Sequence, residues 1–214
     1  MTKPMTIPEG TGDFLNGAAK VILAIGSVGT GFYGFVKWAL PWAEKLRGTA
    51  NGLDQLQILH DTMKSCYEFG AERIIIFYGH DSGGIPRPGS PFYATAVHWE
   101  KKDGYGKQHG RPEESIRDYA QFPVDGAYIE MLNTMRQLGV YRFRMDEEHE
   151  PCLLRSIYEK SGVTDSLLVY LGIFHKRVYY ATFARYDDFF SMDELTSIML
   201  KANIIRGIIA KAQK

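Results

Sequence analysis

The stretch "VILAIGSVGTGFYGFVKW", Val21 to Trp38, admits two incompatible readings. Gly29-Thr30-Gly31-Phe32-Tyr33-Gly34 is a literal G-x-G-x-x-G, and the preceding apolar residues could form the strand that leads into a dinucleotide-binding turn. The same residues could instead form an apolar helix that crosses a bilayer. A dinucleotide loop needs a second strand with an acidic residue about 20 positions on. Asp54 has that spacing, but it lies in "NGLDQLQILHDTMKSCYEF", whose apolar residues recur at helical intervals. Pro41 would also interrupt the helix after the glycines almost at once, and no Walker Gly-Lys-Ser/Thr follows.

The membrane reading meets no such conflict. No charged residue lies between Lys20 and Lys37. A helix over 18–42 is long enough for a hydrocarbon core of about 30 Å at about 1.5 Å per residue. Lys20 and Lys37 can snorkel, and Trp38 and Trp42 suit the headgroup level. Gly26, Thr30 and Gly34 stand four apart on one helix face, where small side chains let two backbones approach in lipid. The expectation is a single-pass span in an inner or plasma membrane that self-associates through these three residues. Lys37, Lys45 and Arg47 outnumber Lys20 and Lys3, which points the C-terminal side toward the cytoplasm. The N-terminus does not look like a cleaved export signal: Asp13 precedes the apolar run, the region before it is barely basic, and no small-x-small cleavage site follows cleanly.

Working outward, the chain divides into an N-terminal tail (1–17), the span (18–42), a linker (43–52) and a domain over 53–214. With 45% hydrophobic and 23% charged residues, it has the composition of a folded protein. The 25 basic and 25 acidic residues cancel, so no global field attracts nucleic acid. Two cysteines, Cys66 and Cys152, make neither a metal motif nor a disulfide framework.

Within the domain, Leu53, Leu56, Leu59, Met63, Cys66 and Tyr67 mark an amphipathic helix stopped by Gly70. "RIIIFYGH" and "FYATAVHWEK" read as strands on either side of a turn-rich loop. Lys102 to Val124 holds no regular element and is either a surface loop or a lid. "DGAYIEMLNTMRQLG" is a helix, "VYRFRM" a strand, and "PCLLRSIYEKSG" a helix opening at Pro151 and closing at Gly162. "SLLVYLGIF" and "RVYYATFARY" form a hairpin across His175-Lys176. Ser191 and Glu194 stand in capping-box register before a last helix, whose apolar face runs Leu195, Ile198, Met199, Ala202, Ile205, Ile208, Ile209. The order α-β-β-α-β-α-β-β-α predicts an α+β domain, an antiparallel sheet flanked by helices.

From Glu150 to Ala212, a short helix, a hydrophobic strand, a tight turn and a strand of aromatic and small residues precede a long terminal helix. That helix opens with Phe190 and then Glu194-Leu195. In this the chain resembles the GAF domain family, sensory relatives of PAS domains, over about Leu53 to Ala212. The resemblance implies a pocket over one sheet face for a cyclic nucleotide, a tetrapyrrole or a small metabolite, or else a dimerisation module with an empty pocket. Cys152 is followed by Leu153 and Cys66 by Tyr67, unlike the Cys-His of bilin-binding members. The cyclic-nucleotide signature is absent. The implied pocket lies beneath Lys102–Val124 and Asp125–Gly139, and strand alternation suggests Tyr78, Tyr93, Phe143, Tyr170 and Tyr180 as ligand-binding walls, unless these rings are core.

The catalytic candidates are weak. His80-Asp81 reads as a strand-end turn, "DEEHE" (Asp146–Glu150) as a solvated acidic loop, and Cys152 as a buried thiol. "DGA" at Asp125–Ala127 lacks any companion motif. No catalytic residue, metal ligand or particular cofactor is assigned. The expected function is a membrane-anchored, non-catalytic GAF-like module for small-ligand sensing or protein–protein interaction, with the lipid bilayer and a second copy as partners. The alternatives are a structural subunit of a membrane or viral assembly, and an enzyme using the same pocket.

Overall fold

A computed structural model of the chain describes residues 52–80, 85–102, 116–149 and 151–212. The proposed span, its Gly26, Thr30 and Gly34, and Asp81 and Glu150 lie outside the described residues. Among the described residues no helix is long and apolar enough to cross a membrane.

The elements are α1 (Gly52–Ser65), β1 (Arg73–His80), β2 (Tyr93–Lys101), β3 (Phe122–Pro123), α2 (Gly126–Leu138), β4 (Val140–Arg144), α3 (Leu153–Ser161), β5 (Asp165–Phe174), β6 (Arg177–Arg185) and α4 (Met192–Ala212). Short 3-10 turns, Cys66–Phe69 and Ile116–Tyr119, follow α1 and precede β3. The strands make one six-stranded sheet in the order β3-β2-β1-β6-β5-β4, and every neighbouring pair is antiparallel. The α+β expectation holds, with one strand more than expected. The region Lys102–Val124, read as devoid of regular structure, supplies the turn at Ile116–Tyr119 and the edge strand β3. Two residues are too few to show any periodicity.

The sheet is buried on both faces. Ile74, Ile76, Val97, Leu167, Val169, Leu171, Ala181 and Phe183 face α1 and α4. Ile75, Phe77, Ala94, Ala96, Leu168, Tyr180 and Ala184 face α2 and α3. This sandwiching explains why "RIIIFY" is a continuous apolar run rather than an alternating one.

Local chemistry sets the element ends. Gly70, Gly139 and Gly162 adopt left-handed φ values of 80°, 83° and 73° where helices stop. His175 and Lys176, at φ 48° and 62°, form the tight turn between β5 and β6. The Ser191 N–H donates to Glu194 Oε2 at 2.7 Å and the Glu194 N–H to Ser191 Oγ at 3.3 Å, the reciprocal pair of a capping box. Pro151, by contrast, lies outside α3. Cys152 is the N-cap, its Sγ accepting from the Arg155 N–H at 3.4 Å, and it is only partly buried against the core under α2 and α3. On α4, Met199 is 40% exposed, while the other expected core positions are buried.

A charged clamp joins β4, β5 and the approach to α4. Asp165, fully buried, accepts from Arg142 Nε at 3.1 Å and Nη2 at 2.6 Å, and from the Phe190 N–H at 2.8 Å. Arg142 also donates to the Phe190 carbonyl at 2.8 Å. Every oxygen of the buried carboxylate is thereby satisfied, which its burial requires.

Candidate functional site

The face of the sheet under α2 and α3 is where the expected pocket would lie. Its floor includes small side chains from the two strands that flank β1, Ala94 and Ala96 of β2 and Thr182 and Ala184 of β6. Small residues at the centre of a sheet leave space that something must fill. Here the protein's own aromatic rings fill it. Phe77 stacks on Tyr180 with ring centroids 5.1 Å apart, and meets Phe122 at 5.9 Å and Tyr119 at 6.0 Å edge-on. Phe122 in turn stacks on Tyr128 at 6.2 Å, and the Tyr128 and Tyr180 hydroxyls are hydrogen bonded at 3.1 Å. The cavity left among Arg73, Ile75, Phe77, Tyr119, Tyr128 and Tyr158 is about 10 Å³, room for about one water molecule.

Among the described residues, Arg73 is the one charged side chain on this face that is almost wholly enclosed, at 1% exposure. Its guanidinium lies 5.7 to 5.8 Å from the rings of Trp99, Tyr119, Tyr158 and Tyr186, and Nη1 donates to the Tyr119 hydroxyl at 3.0 Å. The negative faces of aromatic rings stabilise such a cation when water is excluded. Burial raises the Tyr128 and Tyr180 phenols above their ordinary value. These hydroxyls stay protonated at neutral pH and act as hydrogen-bonding groups.

The five proposed wall residues fall on both sides of the sheet. Phe143, Tyr170 and Tyr180 point toward α2 and α3. Phe143 is buried between His149, stacked at 4.0 Å, and Tyr158, edge-on at 5.6 Å. Tyr78 packs instead against the core under α1 and α4, beside Tyr179 at 6.0 Å and beneath Arg177 at 4.7 Å. Tyr93 stacks on His80 at 5.8 Å near the same end of the sheet. In β1 it is Phe77, one residue before Tyr78, that faces the cavity. An unbroken apolar run gives no parity to decide this. Nothing in the sequence singles out Arg73, Tyr119, Tyr128 or Tyr158, since Arg73 opens a strand at a position that reads as its solvated end.

Several polar residues singled out in the sequence have identifiable partners. Asp125 caps two helices, accepting from the Tyr128 N–H at 2.8 Å through Oδ1 and from the Leu153 N–H through Oδ2. Asp146 and Glu147 lie 2.6 and 3.6 Å from the Arg144 guanidinium. Cys66 is buried, and desolvation pushes its thiol up to about 12, out of the reactive range.

No family model matches the chain, and no curated protein matches it in sequence. Solved structures do match. The GAF domain/HD domain protein from Geobacter sulfurreducens superposes with a TM-score of 0.51 at 14% identity, over 76% of this chain and 97% of that one. The blue-light-absorbing PixJ GAF domain of Thermosynechococcus elongatus covers 77% of this chain and 92% of its own (TM-score 0.48, 11% identity). A phycoerythrobilin-bound GAF domain from a cyanobacterial phytochrome covers 80% and 95% (TM-score 0.46, 13% identity). The described domain has a GAF-like fold. At these identities the likeness is one of architecture.

Proposed function

We propose that the protein is a membrane-anchored GAF-like module that works by association, primarily with a second copy of itself, and performs no chemistry. The observation that carries this reading is the filled sheet face, where about 10 Å³ is left. The outer side of the domain supports it. Met192, Met199, Leu200 and Ile204 of α4 are 71%, 40%, 63% and 48% exposed, and Ile58 of neighbouring α1 is 50% exposed. Five of the nine exposed large apolar side chains among the described residues lie on this pair of helices, which suits burial against a partner. In this reading the span over 18–42 crosses an inner or plasma membrane once, with the domain in the cytoplasm, and Gly26, Thr30 and Gly34 continue the contact through the bilayer. Carbonate extraction should leave the full chain in the membrane pellet; release into the supernatant would contradict anchoring. In detergent, light scattering should show an oligomer that Leu200→Glu with Ile204→Glu reduces. An unchanged particle mass would remove these residues from the contact.

A second reading, small-ligand sensing, rests on the roof of the cavity. Tyr119 and Phe122 come from a 3-10 turn and a two-residue edge strand above a floor of alanines and Thr182. Displacing these two rings would open room for a planar ligand. A metabolite that raises the melting temperature of the wild type, but not of Ala96→Phe, would establish this reading.

A further inference from the structure

On the opposite face of the sheet, three side chains with metal-binding chemistry meet between α1 and β2. Their placement depends on an irregularity in β2. Ile76 pairs with His98 but Phe77 pairs with Ala96, so Val97 is an extra residue in a β-bulge. Without the bulge, His98 would share a face with Ala94 and Ala96. With it, His98 and Glu100 turn toward α1, on the same side as Ile74 and Ile76. Bulges characteristically re-aim side chains in this way. His60 reaches the same point from α1.

The Glu100 Oε1 atom lies 2.6 Å from His60 Nδ1 and 3.3 Å from His98 Nε2. All three donor atoms lie within 4.8 Å of one another, and the two imidazole rings stand edge to face at 79°. Tetrahedral zinc with bonds of about 2.0–2.1 Å places its ligand atoms about 3.3 Å apart. His98 and Glu100 already have that separation, at 3.3 Å, and His60, now 2.6 Å from Glu100 Oε1, has to readjust on the partly exposed surface of a helix. Side-chain exposures of 35% for His60, 9% for His98 and 14% for Glu100 leave the enclosed pair inside and the helical ligand at the rim. Two imidazoles and one carboxylate are a ligand set for a divalent transition metal, and zinc has no d-electron geometry to enforce.

We propose that His60, His98 and Glu100 bind one zinc ion, which clamps α1 to β2 and leaves a coordination position open to solvent. The site is independent of the association reading, since it uses neither the filled cavity nor the apolar side of α4. The test is equilibrium dialysis of untagged, full-length protein in detergent against zinc chloride, with metal counted by mass spectrometry. The expected result is one zinc per chain and a raised melting temperature. Glu100→Gln keeps a hydrogen-bonding group toward His60 but removes the carboxylate, and His60→Ala removes the rim ligand. Each should weaken zinc binding at least about 100-fold while the metal-free circular dichroism stays as in the wild type. If Glu100→Gln proves unfolded, His60→Ala decides. Substoichiometric zinc on the wild type, or wild-type affinity retained in His60→Ala, would overturn the proposal.

Discussion

Arg73 sits in surroundings that a different cation would not fit. Four ring faces and a tyrosine hydroxyl surround a planar guanidinium at 1% exposure. A lysine has the charge but neither the plane nor the fork. Arg73→Lys should therefore destabilise the domain by about 1–3 kcal/mol, read as a lower urea midpoint with an unchanged slope. An unaltered midpoint would show that the rings contribute only area. Gly79 is constrained differently. A Cβ there would stand 2.1 Å from the tip of the Phe92 ring. Gly79→Ala must push Phe92 off the sheet and should cost about 1–3 kcal/mol. Neither role was legible in the sequence. "GH" at a strand end reads as the beginning of a turn, and the arginine of "ERIIIFY" reads as a solvated charge beside Glu72. Both depend on partners far along the chain.

Helix ends were the most legible elements, because capping is local. Ser191 and Glu194 form the box their spacing implies, and glycines stop three helical segments where expected. Burial pushes the Glu194 carboxyl up, but hydrogen bonds from Ser191 and the charge of Arg185, 3.0 Å away, outweigh it and hold it below its ordinary value of 4.5. A carboxylate with a folded-state value below its unfolded one stabilises the fold above the unfolded value. That contribution is lost as pH falls through the folded value. The start of α4 should loosen as pH falls below the ordinary carboxyl value of 4.5, and Glu194→Gln should flatten this part of the stability–pH curve; an unchanged curve would contradict the assignment. Asp125 has a double load, capping α2 and α3 together. Asp125→Ala should cost about 2 kcal/mol or more, near twice a single cap, whereas Asp125→Asn should retain most of the α2 cap. Equal losses for the two substitutions would show that charge rather than capping geometry matters. Strands were legible as elements but not in their facing. Ile74–Tyr78 is apolar on both sides, and the bulge at Val97 reverses the parity of His98 and Glu100. A run that is apolar on both sides does not show that Tyr78 faces away from Phe143, Tyr170 and Tyr180, across the sheet.

For the whole molecule, the fold divides the labour between two faces. One carries α2 and α3 over an aromatic core packed nearly to closure. The other carries α1 and α4, whose inner sides complete a second core and whose outer sides present Ile58, Leu200 and Ile204. The α+β architecture was readable from the order of elements, and the GAF-like character from the terminal hairpin and helix. Whether the cavity is filled was not readable, because it depends on Tyr119 and Phe122 folding back from a region with no periodicity. Native mass spectrometry of the full chain released from detergent tests the central claim most directly, since it weighs copy number and retained ligand at once. The account predicts particles of two or more chains with no additional small-molecule mass. A single chain, or a chain with a stoichiometric organic ligand, would contradict it.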